Sequence, residues 1–150
     1  MSPETDPRTA KVVHFYEHLT PDSLTALPSI YTEQATFKDP FNEVQGLPAI
    51  HGVFSHMFET LNAPRFVVLS ADTVGHTAWL TWDFIIQRPR KKEWRIHGAT
   101  RLSYASDGRI KQHRDYWDPA QELYARLPIL GPLVRWLTRR LSASASSSSS

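Results

Sequence analysis

The sequence predicts an α+β domain in which helices pack on one face of a strongly curved, largely antiparallel sheet. Apolar residues recur with a helical period as far as Leu61 and alternate with a period of two from Arg65 to Trp117. Strands that follow helices in this way are typical of α+β domains. Several strands carry bulky side chains on both faces, so we expect the sheet to curl around an interior.

Three helices are predicted from their apolar stripes. The first covers residues 8–19, and the second covers residues 22–30 with Thr20 as its N-cap. The third covers residues 47–61, and Phe54 lies on its apolar face.

The strands are predicted from alternation and from the turn signals between them. Ser106-Asp107-Gly108 is a hairpin signal before the last strand, and a bulge at this turn would exchange the two faces of that strand. The sequence therefore leaves open which way His113 and Asp115 point. The predicted strands cover residues 35–41, 65–71, 76–87, 94–104 and 109–117.

Asp39 lies near the end of the first predicted strand and precedes a proline. Pro40 favours an extended conformation at Asp39 and has no N–H for the next ladder bond. The carboxylate thus has a fixed place between Phe37 and Phe41. Two interpretations remain: an Asp-Pro turn that faces water, or a carboxylate that faces an apolar pocket.

Composition excludes several classes of function. The chain has 150 residues, 41% of them hydrophobic, which suits one globular domain. It has no cysteine, its histidines lack metal-ligand spacing, and no phosphate-binding glycine motif is present, so we expect neither metal nor cofactor. The net charge of +2 gives no reason to expect nucleic-acid binding. We expect a cytoplasmic protein without stable membrane insertion, because no signal peptide or membrane-spanning stretch is evident.

The order of elements, with three motifs, resembles the nuclear transport factor 2-like (NTF2-like) superfamily, and within it the SnoaL-like and ketosteroid-isomerase-related branch. The motifs are Tyr31-(x)3-Ala-Thr-Phe-Lys-Asp-Pro, Asp107-Gly-Arg-Ile and Tyr116-Trp117. The resemblance implies a cone-shaped domain over residues 8–119 that pairs through its sheet, and hence a homodimer. Two further segments are expected beyond it, an amphipathic helical extension at 120–141 and a disordered Ser-rich tail at 142–150.

The resemblance also implies site residues. Asp39 falls at the general base of the ketosteroid isomerases, and Asp115 resembles the acid/base aspartate of SnoaL-like cyclases. Phe15 occupies the oxyanion tyrosine position by gapless counting, with Tyr16 next to it, and Thr100 occupies the position of the second donor. Because that donor pair is replaced, we do not expect 3-oxosteroid isomerisation.

Arg114-Asp115-Tyr116 also resembles a motif of limonene-epoxide-type hydrolases, but Thr81 stands where those enzymes need an arginine. The surface alternative for Asp115, as a partner of Arg114 or Arg101, stays open.

The leading hypothesis is a cofactor-independent acid/base enzyme, an isomerase, cyclase or related lyase or hydrolase. Its ligand would be a hydrophobic small molecule, either a carbonyl compound or a polycycle. Asp39 would be the general base and Asp115 a second acid/base group. The alternative is a non-catalytic ligand-binding or dimerisation module, and a third interpretation is docking to a protein partner. The residues expected to bind the ligand are Phe15, Tyr16, Tyr31, Phe54, Trp82, His97, Thr100, His113 and Trp117.

Overall fold

The computed structural model describes residues 6–119 and 139–140. It confirms the α+β class, with the helices before most of the strands. The predicted extension and Ser-rich tail lie outside the described residues, apart from positions 139 and 140. The helices are α1 (Pro7–Glu17), a 3₁₀ helix (Asp22–Ala26), α2 (Leu27–Ile30) and α3 (Leu47–Thr60). The strands are β1 (Tyr31–Lys38), β2 (Glu43–Gln45), β3 (Arg65–Val74), β4 (Thr77–Ile86), β5 (Trp94–Tyr104) and β6 (Ile110–Tyr116).

Capping side chains and turn residues set the ends of the helices. Asp6 caps α1 by accepting a hydrogen bond from the Arg8 backbone N–H at 3.0 Å. The 3₁₀ helix begins at Asp22, and Thr20 accepts the Ser23 N–H at 3.1 Å. Gly46, at φ 94°, precedes α3 in a conformation that favours glycine. The second predicted helix is therefore two short pieces.

The sheet has the strand order β2-β1-β6-β5-β4-β3 and is curved and unclosed. β1 and β6 are parallel, and every other neighbouring pair among the described strands is antiparallel. The short strand β2 was not predicted, because its three residues carry no alternation that could be recognised. The parallel pair joins the first strand of the domain to the last strand described.

A β-bulge decides the orientation of β6. Tyr104 pairs with Ile110 and Ser103 with Gln112, which leaves Lys111 as the extra residue on β6. The pleat resumes with His113 opposite Leu102. Asp115 follows on the same side, opposite Thr100. The bulge thus turns both titratable side chains toward the face that the helices cover.

The two faces of the sheet differ in burial. Residues Leu80, Trp82, Ile96 and Leu102 on the inner face are at most 5% exposed. On the outer face, Trp79 is 46% exposed and Tyr116 42%. Among the residues that the structure describes, no helix is long and apolar enough to cross a bilayer.

Candidate active site

An apolar cavity with two chambers lies between the helices and the inner face of the sheet. The inner chamber has a volume of about 60 Å³ and the outer chamber about 80 Å³. Each has room for more than a single water molecule, which needs roughly 10–15 Å³. Phe66, Trp82 and Asp115 line both chambers, so the carboxylate lies at the boundary between them. The inner chamber is otherwise lined by Val12, Tyr16, Phe37, Val53, Phe54, Met57, Val68, Leu80, Thr100 and Leu102, and the outer one by Phe41, Leu61, Phe84, Ile86, Trp94, Ile96 and Trp117.

Two side chains donate hydrogen bonds to the same oxygen of Asp115. The Thr100 hydroxyl lies 2.6 Å from Asp115 Oδ1, and His113 Nε2 lies 2.6 Å from the same atom. Within residues 6–119 and 139–140, no donor contacts Oδ2. The side chain of Asp115 is 15% exposed. One oxygen of the carboxylate is therefore held while the other stays available to a ligand.

The Thr100 hydroxyl is oriented by Trp82. The indole Nε1 donates to Thr100 Oγ1 at 2.7 Å. Because an indole N–H can only donate, Thr100 accepts from Trp82, and its own proton is free to go to Asp115.

The His113 ring is oriented by two buried tyrosines. His113 is 2% exposed and stacks on Phe37 with ring centroids 4.4 Å apart. Its Nδ1 lies 2.8 Å from the Tyr31 hydroxyl and 3.2 Å from the Tyr16 hydroxyl, and these two hydroxyls also bond to each other. Burial is the main cause that raises the pKa of both tyrosines, so each keeps its proton at neutral pH. We assign the Nε2–H tautomer to His113, since hydroxyl donors face Nδ1 and a carboxylate faces Nε2.

Asp39 is held by its own turn. Its Oδ1 accepts the backbone N–H groups of Phe41 at 2.8 Å and of Asn42 at 2.6 Å, and the Asn42 amide lies 3.2 Å from both carboxylate oxygens. Burial, and next the negative charge of Asp115, raise the pKa of Asp39 to about 6, although these hydrogen bonds oppose the shift. Asp39 lines an open depression that Asp115 also borders, and it is absent from the walls of both chambers.

The register of the parallel pair explains why the two carboxylates lie near each other. Phe37 on β1 is paired with His113 on β6. The next inward position along each strand is Asp39 on one and Asp115 on the other. Both predicted catalytic residues therefore lie at the same edge of the sheet, but with different donors.

The predicted ligand-binding residues fall into three groups: those that line a chamber, those that are buried without lining one, and His97, which lies on the outer face. Tyr16, Phe54, Trp82 and Thr100 line the inner chamber and Trp117 lines the outer one. Phe15, Tyr31 and His113 are buried without lining either chamber.

His97 lies on the outer face, away from the cavity. Its side chain is 59% exposed, and its Nδ1 lies 3.0 Å from Asp83 Oδ1. In the described ranges, no group of three or more His, Asp or Glu side chains is arranged to hold a metal ion.

Phe66 is a wall residue that the sequence did not reveal, although it lines both chambers. The register between β3 and β4 shifts between Val68 and Ser70, and this irregularity hides the alternation of β3. Asn42 was missed as well. Its signal was the sequence Asp39-Pro40-Phe41-Asn42, in which Asp39 begins an Asx turn that spans the proline.

Comparison with protein families identifies the chain. The model of the SnoaL-like domain matches residues 12–113, well over half of the sequence. The protein belongs to the SnoaL-like domain family. Asp115 lies just beyond the matched range. No curated protein matches the sequence.

Solved structures share the fold of this SnoaL-like protein. A protein from Catenulispora acidiphila with a ketosteroid isomerase-like fold, in complex with trimethylamine, is 16% identical, with a TM-score of 0.67 over 83% of this chain and 96% of that one. A proposed SnoaL-like polyketide cyclase from Shewanella putrefaciens is 16% identical, with a TM-score of 0.66 over 81% and 86%. TerC co-crystallised with polyporic acid is 12% identical, with a TM-score of 0.67 over 81% and 97%. At these identities the comparison shows the fold.

Proposed function

We propose that this SnoaL-like protein is a cofactor-independent acid/base enzyme that moves a proton on a carbon next to a carbonyl group in a hydrophobic ligand. One observation carries the proposal: the Asp115 carboxylate lies at the boundary of two apolar chambers with Oδ1 held by two donors and, among the described residues, no donor on Oδ2. A general base needs a fixed position within reach of the proton that it removes.

In the proposed reaction, Asp115 Oδ2 accepts the proton from the carbon. The electron pair of the broken C–H bond becomes part of an enolate, and the neutral carboxyl returns the proton to a second carbon or to the product of a ring closure. Tyr16 is the candidate donor to the enolate oxygen, because it lines the inner chamber and burial keeps its hydroxyl protonated; in this step its proton turns from the Tyr31 hydroxyl to the ligand. His113 and Thr100 orient the base without touching the ligand's carbon.

The lining of the cavity supports a hydrophobic ring as ligand. Aromatic side chains form most of the outer chamber and share the wall of the inner chamber with aliphatic ones, and among the described residues Asp115 is the only ionisable carboxylate on these walls. Two of the structural neighbours agree with this ligand class, since one is a proposed polyketide cyclase and another holds polyporic acid.

Asp39 is the second candidate for the base. Its pKa of about 6 favours it, since a base that titrates near neutral pH works well as a proton acceptor. Its hydrogen bonds argue against it, because backbone and amide donors already occupy the carboxylate. We therefore propose that Asp39 is a second carboxyl group beside Asp115 and does not itself remove the proton.

The experiment measures hydrogen–deuterium exchange at the enolisable carbons of 2-tetralone in D2O, with NMR as the readout. This bicyclic ketone has enolisable positions, and it can be used without knowing the natural ligand. Asp115→Asn should lower the enzyme-catalysed exchange rate by about 10²–10⁴-fold, the usual contribution of a general base. Asp39→Asn is the matched control, and we expect a loss below about tenfold. The reverse result would make Asp39 the base.

A non-catalytic ligand-binding or dimerisation module is the alternative function. The contact between exposed Trp79 and Tyr116 on the outer face, with ring centroids 5.7 Å apart, favours pairing through the sheet. Quenching of tryptophan fluorescence by 2-tetralone without catalysed exchange would support the binding module. Light scattering of wild type and Trp79→Ser tests the dimer, which should dissociate in the variant.

A further inference from the structure

Gly98 lies where the indole of Trp82 crosses β5. The two residues are directly opposite in the pairing of β4 with β5. A Cβ on Gly98 would lie 2.4 Å from Trp82 Cη2 and 2.8 Å from Cζ2, closer than packed carbon atoms approach. Gly98 is not among the glycines with positive φ, so its backbone does not require glycine. The indole therefore accounts for the missing side chain.

The position of this indole has a consequence for Asp115. Trp82 Nε1 donates to Thr100 Oγ1 at 2.7 Å, while the outer atoms of the same ring occupy the space that a side chain on Gly98 would need. Thr100 in turn orients Asp115, since its hydroxyl accepts a hydrogen bond from Trp82 and donates one to Asp115 Oδ1 at 2.6 Å. We call Gly98, Trp82 and Thr100 the indole arm.

Resting on the proposed function, we propose that Gly98 is a positioning residue for the base. The absence of a side chain at this position lets Trp82 direct the Thr100 proton onto Asp115 Oδ1, which leaves Oδ2 facing the cavity. Gly98 itself lines neither chamber, so it acts only through Trp82.

A double-mutant cycle on the 2-tetralone exchange reaction tests this role. Gly98→Ala should lower kcat by about 10–100-fold, because a displacement near 1 Å costs a base most of its efficiency. The phenyl ring in Trp82→Phe lacks the outer indole atoms that a Cβ at position 98 would meet. In that background, Gly98→Ala should change kcat by less than about twofold. Equal losses in both backgrounds overturn the proposal.

Gly52 supplies the matched control. It lies on α3, and a Cβ there would meet nothing within 4 Å. Gly52→Ala should leave kcat and KM unchanged. If Gly98→Ala does not fold, Thr100→Val replaces it, since valine keeps the shape and removes the hydroxyl. A Thr100→Val variant with wild-type kcat overturns the proposal.

The NMR signal of the Trp82 indole N–H reports on the geometry of the indole arm in the absence of a ketone substrate. The signal is identified by its loss in Trp82→Phe and recorded in ¹H–¹⁵N spectra. In Gly98→Ala it should move and exchange faster with solvent, and in Gly52→Ala it should stay. An unmoved signal in Gly98→Ala overturns the proposal. If the wild-type protein does not catalyse exchange in 2-tetralone, the proposed function fails. The Trp82 signal then still tests whether Gly98 positions the indole arm.

Discussion

Asp39 and Asp115 end two neighbouring parallel strands, yet their carboxylates are held in opposite ways. The donors to Asp39 come from Phe41 and Asn42, two and three residues along the chain. The donors to Asp115 come from Thr100 on another strand and from His113, whose ring is itself fixed by Tyr31 from a distant part of the sequence. The donors to Asp39 complete a local turn. The donors to Asp115 are anchored on other strands, Thr100 by its position on β5 and His113 by its contact with Tyr31 on β1, and among the described residues they leave the second oxygen without a donor. The four predictions below test this difference, from the largest expected effect to the smallest.

The largest effect is expected from removal of His113, which lies on the same strand as Asp115 but is anchored by Tyr31 on β1. His113→Phe keeps the stack on Phe37 but takes the Nε2–H from Asp115 and the acceptor from Tyr31. We expect the free energy of unfolding to fall by roughly 2–4 kcal/mol, because buried polar groups lose their partners. Urea denaturation measures the change. A loss no larger than that of Asn42→Ala would remove the contrast between the two sites.

The second prediction concerns the pH dependence that Asp39 confers on stability. Its carboxyl titrates near 6 in the folded protein and near 3.8 in the unfolded chain. Between these pH values the folded protein holds a proton that the unfolded chain has lost, so the free energy of unfolding falls as the pH rises and levels off above 6. Asp39→Asn should remove this fall, which amounts to at most about 3 kcal/mol. The difference between wild type and variant at pH 4 and pH 7 is the measurement, and a constant difference would contradict the shifted titration.

The third prediction separates the tyrosine contacts of His113 from ordinary surface tyrosines. Tyr31→Phe removes the hydroxyl that lies 2.8 Å from His113 Nδ1. It should lower the free energy of unfolding by about 1–2 kcal/mol. Tyr116→Phe is the control, because Tyr116 is 42% exposed, and it should change stability by less than about 0.5 kcal/mol. Equal changes of the two variants in thermal unfolding would show that the hydrogen bond of the Tyr31 hydroxyl does not stabilise the fold.

The smallest effect is expected from removal of the side-chain donor in the turn that holds Asp39. Asn42→Ala removes the amide that reaches Asp39 but leaves the backbone N–H of residue 42 in place. We expect a loss of about 1 kcal/mol or less in urea denaturation. A larger loss would mean that the turn depends on the side chain of Asn42 rather than on its backbone.

Local pattern predicted much of the fold. The apolar stripe of α3 and the alternation of β4 both follow from spacing, and the structure has them at Leu47–Thr60 and Thr77–Ile86. The strand before Pro40 was also predicted, but at 35–41 instead of Tyr31–Lys38, because residues 31–34 carry no clear alternation and the turn at Asp39 ends the ladder before the proline. The family resemblance is confirmed by the match over residues 12–113.

The geometry of the site depends on non-local features. Only the parallel pairing of β1 with β6 brings Asp39 and Asp115 to one edge, and only the bulge at Lys111 turns Asp115 inward. Strand order and register depend on the whole sheet, so a linear pattern cannot supply them. Gapless counting pointed to Phe15, but Tyr16 faces the cavity because successive helix positions differ by about 100°.

The parallel pairing of β1 with β6 also has a kinetic consequence. Tyr31 and His113 are 82 residues apart in sequence, and their contact belongs to the pairing that completes the sheet. Contacts of such long separation carry a high loop-closure cost and slow folding. During synthesis, Asp39 leaves the ribosome long before Asp115, so no partly made chain has a complete site. The oriented carboxylate therefore requires β1, β5 and β6 to be joined in one sheet.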